Sequence, residues 1–117
     1  MAINVTEKFN AFSDRWQPKR IAGLNDYDVR IAKIEGEFVW HAHPDTDELF
    51  LIWKGAMDIQ YRDRTVSLKE GDLHVVPKGT DHRPVAHGEC WIMMIEPSDT
   101  VNTGDTGGER TRAVETL

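Results

Sequence analysis

Cysteine is almost absent: Cys90 stands alone among 117 residues, so no intramolecular disulfide can staple the chain. Positive charge is sparse, with 14 Lys and Arg against 20 Asp and Glu and a formal net charge of −6. Lys19-Arg20 is the only adjacent basic pair. Phosphate backbones are bound by clustered cations, so no nucleic-acid partner is expected. No apolar run approaches the ~20 residues a helix needs to cross a bilayer, and no membrane partner is expected either. The N-terminal MAINVTEKFNAF lacks the basic stretch and apolar run of a signal peptide, which makes cytoplasmic the expected location. There is no internal repeat and no glycine-rich phosphate loop. The length suits one domain over 1–117, burying roughly two-thirds of the surface its unfolded chain would expose.

What the chain does contain is a series of short, turn-bounded apolar runs. Asn4 caps a short helix that ends near Ser13, with Val5, Phe9 and Phe12 on one face. Trp16 to Ala22 reads as an extended edge segment because Pro18 lacks an N–H. The turn Asn25-Asp26 leads into a strand from Tyr27 to Ile34. Further strands are expected over Glu37 to His43, Glu48 to Lys54, Ala56 to Tyr61, Thr65 to Leu68 and Leu73 to Val76, then around His82 and over Trp91 to Ile95. Short strands at regular spacing indicate an all-β sandwich or barrel. Its core is expected over 27–97, with 1–26 as helix and edge strand. Residues 98–117, rich in Ser, Thr, Gly and Asp, read as a loop or tail.

The alternation of strands carries chemistry. His41 and His43 point to one side of their strand, and Glu48, Phe50 and Ile52 to one side of the next. Leu49, Leu51 and Trp53 face the other way. A strand apolar on both faces is covered on both, so the Glu48 face should line a lumen and the Leu49 face should meet another layer or another subunit. A lone carboxylate there would cost several kcal/mol unless a cation or hydrogen bonds compensate it. His82 follows the bend at Pro77-Lys78-Gly79. Three imidazoles and a carboxylate suit one divalent first-row metal (Fe, Mn, Ni, Co or Zn) and leave open positions on a six-coordinate ion. The metal ligands are therefore expected to be His41, His43, Glu48 and His82.

These residues sit in two spaced motifs. Gly36, His41-Ala42-His43, Glu48 and Gly55 form the first, and Gly71, Pro77-Lys78-Gly79 and His82 the second. Together they resemble the paired motifs of the cupin superfamily over residues 27 to 97. The spacer after Gly36 is four residues where the usual pattern has five, and Ala86 stands where the pattern ends in Asn. The resemblance implies a double-stranded β-helix, the jelly-roll barrel. It also implies an activity among those of cupins, which include dioxygenases, isomerases, epimerases and decarboxylases; small single-domain members are often described as resembling mannose-6-phosphate isomerase.

The expected function is a metal-dependent enzyme of dioxygenase or isomerase type acting on a small organic molecule that chelates the metal through oxygen. The alternative is a non-catalytic module that binds or senses a small ligand. No charged residue other than the ligands is expected in the lumen. His74 is expected to make a local hydrogen bond, His87 to be exposed and Cys90 to pack. Arg83 should form a surface ion pair, and Arg62-Asp63-Arg64 a solvated turn. Cys90, Ile92 and Met94 share one face of the last strand, and Trp91, Met93 and Ile95 the other; alternation does not say which lines the lumen. The Leu49 face is expected to be closed in a homodimer, with Trp16 to Ile21 exchanged between subunits.

Overall fold

The longest strand is the one on which the others are hung. The computed structural model describes residues 2–117 and contains α1 (Val5–Asn10), β1 (Lys19–Leu24), β2 (Tyr27–Glu37), β3 (Glu48–Lys54), β4 (Ala56–Tyr61), β5 (Thr65–Lys69), β6 (Leu73–Val76), β7 (His82–Pro97) and β8 (Glu115–Thr116). Along one edge β7 pairs with β2; on the other it pairs with β4 through His82 to Ala86 and with β3 through Trp91 to Ile95. One strand thus joins two sheets, which close as a jelly-roll barrel of eight strands.

What lets β7 serve both sheets is a bulge. Ile34 opposes Cys90, yet Gly36 opposes Ala86, so two steps on β2 span four on β7. A bulge of this kind bends its strand and increases the local twist. The two segments expected around His82 and Trp91 are consequently one continuous strand. Gly55, between β3 and β4, packs into the bend with φ +88°; a Cβ there would lie 2.8 Å from the Glu89 carbonyl oxygen. Only glycine fits both the angle and the approach.

The inner core is built from one face of each strand: Ile34, Phe50, Ile52, Met57, Ile59 and Ile92 are all buried there. Cys90 and Met94 share that face, which settles the side of β7 that enters the lumen. On the outside, α1 lays the fully buried Phe9 over Ile31 and stacks it on Trp91 at 4.9 Å. Asn4 caps the helix by accepting from the Glu7 N–H at 2.9 Å, as expected. The helix stops at Asn10, one turn short of Ser13.

Three expectations about the chain's path are corrected. The strand expected over Glu37 to His43 is absent, β2 ending at Glu37. Past Glu37 the β2 ladder ends, and the chain touches β7 only through Phe38 N–H to Pro84 O and the His41–His82 pair. Three steps on one side face two on the other, which is again a bulge, and it swings the His41 to His43 segment inward. The extended segment begins at Lys19 rather than Trp16, pairs with β2 of its own chain, and has its free edge covered by the parallel pair with β8. The C-terminal residues are therefore more than a tail: they cross the barrel as a strap before ending in β8.

Candidate metal centre

All four residues expected as ligands converge. One nitrogen or carboxylate oxygen from each of His41, His43, Glu48 and His82 lies within 4.8 Å of every other, and all four side chains are buried. His41 and His43 come from the bulged segment, Glu48 opens β3 and His82 opens β7. The His43 Nε2 lies 3.3 Å and the His82 Nε2 3.7 Å from the Glu48 Oε1.

The imidazoles are set for ligation. His41 Nδ1 lies 2.9 Å from the Val39 carbonyl oxygen and His82 Nδ1 2.9 Å from that of Thr80. A carbonyl only accepts, so each Nδ1 carries the proton and each Nε2 turns a lone pair to the centre. Burial, reinforced by the nearby His82, lowers the His41 pKa to about 4, which keeps that lone pair free at neutral pH. His43 Nε2, Glu48 Oε1 and His82 Nε2 are buried with no hydrogen-bond partner among the described residues. Buried polar atoms are normally paired, so three orphans aimed at one point fit a cation there.

A second group of charges lies inside, where no charged residue other than the ligands was expected. Arg30 is 1% exposed and spends all its N–H groups within the barrel. It donates to both sides: Nε and Nη2 to Asp28 at 3.1 Å, Nη1 to Glu96 at 3.1 Å and to the Thr100 carbonyl at 2.8 Å, and Nη2 also to the Ser98 carbonyl at 2.8 Å. Glu96 in turn lies beside Glu48 at the wall of the same cavity. Burial and the charge of Glu48 push Glu96 well above the usual carboxylate range, so it holds a proton. Burial works to raise Glu48 as well, but the polar surroundings supplied by Glu96, His43 and His82 outweigh it and hold that carboxyl well below the usual range. A neutral acid thus stands beside an ionised ligand.

Asp28 and Arg30 share the parity of Ala32 and Ile34, and Glu96 that of Ile92 and Met94. That shared parity was the signal available for them. The signal is weak because Val29 and Ile31 are apolar too, and α1 covers the Ile31 side.

Beside the ligands lies a cavity of about 50 Å³, lined by Phe38, Phe50, Ile92 and Met94 with Glu96 and Asn102 as polar members. Trp16 and Phe38, stacked at 4.9 Å, form one wall. The remaining residues singled out in the sequence stand apart from the ligands. His74 faces inward opposite Phe50 and makes its local bond to the Tyr61 hydroxyl at 2.6 Å. Burial lowers His74 and raises Tyr61, so the neutral phenol donates to a neutral imidazole. His87 is exposed beside Asp58. Cys90 is fully buried, and burial pushes its thiol up to about 12, which suits packing rather than reactivity. Arg83 bonds Gln60 and pairs with Glu37 at the surface. Arg62, Asp63 and Arg64 are exposed as expected of a solvated turn, with Arg62 lying over the Trp40 ring at 3.7 Å and Arg64 over that of Tyr61 at 4.2 Å.

Comparison with known proteins adds to this geometry. The family model described as "Cupin domain" matches residues 27–96. The uncharacterized protein YdbB of Bacillus subtilis is 43% identical over 97 residues, covering 82% of this chain and 80% of that protein. The crystal structure of a cupin-2 domain containing protein from Shewanella frigidimarina superposes with a TM-score of 0.81 at 48% identity, covering 82% of this chain and 94% of that one. Hydroquinone 1,2-dioxygenase from Sphingomonas, solved with 4-hydroxybenzoate bound, shares the fold at TM-score 0.72 and 18% identity, over 83% of this chain and 32% of that one.

Proposed function

This chain belongs to the cupin domain family, and on that footing we propose that it is a metal-dependent enzyme of dioxygenase or isomerase type whose substrate is a small organic molecule that chelates through oxygen. The observation that carries the reading is the convergence of three imidazoles and one carboxylate, buried beside an apolar cavity. His41, His43, Glu48 and His82 would hold iron, manganese, nickel, cobalt or zinc, which would supply Lewis acidity or, for a redox-active ion, access to dioxygen.

The chain's own residues define what can enter. Phe38, Phe50, Ile92 and Met94 exclude water and favour an apolar body. Arg30, bonded to Glu96 of that lining, has every N–H engaged and offers none to a ligand. Glu96 offers a proton-bearing carboxyl at the lining. The test is to titrate iron- or manganese-loaded protein with catechols and 2-hydroxy acids while following binding and turnover. Metal-dependent binding with oxygen uptake or isomerisation is expected. Metal-dependent binding without turnover would favour the ligand-sensing alternative, and no binding to loaded protein would contradict both.

A second copy of the chain is the partner we propose. On the outer face, Leu73 is 57%, Val75 42% and Tyr27 45% exposed, next to Leu49 and Ile95. Asp45, Asp47 and Lys78 rim this face, so a twofold pairing can set opposite charges against each other around an apolar centre. In light scattering the wild type should run at twice the chain mass and Leu73→Glu at one; monomeric wild type at working concentration would refute the dimer.

A further inference from the structure

The His41-Ala42-His43 tripeptide has almost no sheet around it. His41 exchanges both backbone hydrogen bonds with His82, and the His43 carbonyl accepts from the Gly79 N–H at 2.9 Å. Ala42, between the two ligands, has no partner in any strand. Its partner is the strap. Asp105 takes both of its backbone groups: the Asp105 N–H donates to the Ala42 carbonyl at 2.9 Å, and the Ala42 N–H donates to the Asp105 Oδ1 at 2.9 Å. One residue along, the Thr106 hydroxyl donates to the Trp40 carbonyl at 2.7 Å.

The approach is as close as a backbone allows. A Cβ on Gly104 would lie 2.2 Å from the Ala42 carbonyl oxygen and 3.2 Å from the His41 ring. The strap is itself held at several points before and after this contact. Arg30 grips the Ser98 and Thr100 carbonyls, the fully buried Thr103 shares a hydroxyl hydrogen bond with Thr111, and β8 pairs with β1.

We propose that the strap is part of the metal centre and that Asp105 is a positioning residue: it fixes the Ala42 backbone, and with it the mutual orientation of the His41 and His43 rings, without touching the ion. Ring directions follow the backbone between them, and Ala42 has no other clamp. Polar partners that orient ligands govern metal affinity although they lie outside the coordination sphere. The inference rests on the proposed metal site.

Asp105 is exposed, so its truncation spares the core. The experiment measures zinc affinity against a chromophoric chelator, and the visible spectrum of the cobalt-loaded protein, for wild type, Asp105→Ala and Asp105→Asn. Melting of the metal-free proteins is followed in parallel. Asp105→Ala is expected to bind zinc about 10–100-fold more weakly and to shift the cobalt bands, with metal-free melting nearly unchanged. Asp105→Asn keeps an oxygen for the Ala42 N–H and should recover most of the affinity. Wild-type affinity in Asp105→Ala would overturn the inference and leave the site standing. Equal weakness in Asn and Ala would also overturn it, since the carboxylate charge rather than the clamp would then be acting. Failure of the wild type to bind zinc or cobalt would remove the site itself.

Discussion

Replacing Arg30 with alanine is expected to destabilise the fold by about 3–5 kcal/mol, the range for removing one partner from a buried ion pair. The side chain is 1% exposed, and its loss strands groups on three segments. Asp28 keeps only its bond from Arg20 at 2.7 Å, Glu96 loses its only donor, and the Ser98 and Thr100 carbonyls are left facing the barrel interior. A domain of this size has about 5–15 kcal/mol in total, so the variant should be marginal. Arg30→Lys should fall between the two, because an ammonium offers three donors and no planar fork. Urea denaturation at neutral pH measures both. A loss under about 1 kcal/mol for Arg30→Ala would mean that the network is far more hydrated than its burial implies.

The second large effect concerns the ligands. Without metal the site carries three orphaned polar atoms, on His43, Glu48 and His82, each costing about 1–3 kcal/mol. A bound ion removes that cost and stabilises further by mass action, by about 4 kcal/mol at a thousandfold excess over Kd. Chelation should therefore lower the wild-type Tm by ~15 °C from the metal-saturated value, taking roughly 4 °C per kcal/mol. His82→Ala should lose at least about 100-fold in metal affinity, since even outer partners of ligands are worth 10–100-fold. Its Tm should then respond little to chelator, whereas an unchanged response would show that His82 is not a ligand.

The ligand set was legible because its signal is local: residue types that bind metals, at the spacing of two short motifs. β3 was legible for the same reason, its two apolar faces meaning cover on both sides. Arg30 was not. Its partners Glu96, Ser98 and Thr100 lie 66, 68 and 70 residues away, beyond the reach of a local pattern. In β2 the Asp28 and Arg30 face looks solvated until those partners are known. The bulge at Val39-Trp40 was hidden because apolar alternation continues through it while the ladder does not. The strap was hidden because polar groups hold it: Asn102, Thr103 and Asp105 bond to backbone and hydroxyl groups, leaving no periodic apolar stripe to read. Composition alone makes such a segment look like a tail.

The central claim is that His41, His43, Glu48 and His82 hold one metal ion. Elemental analysis of the wild-type protein, purified without a His-tag or added metal, tests it most directly. About one iron, manganese, nickel, cobalt or zinc per chain is expected; no metal as purified, and none retained after incubation with each of these ions and desalting, would contradict it.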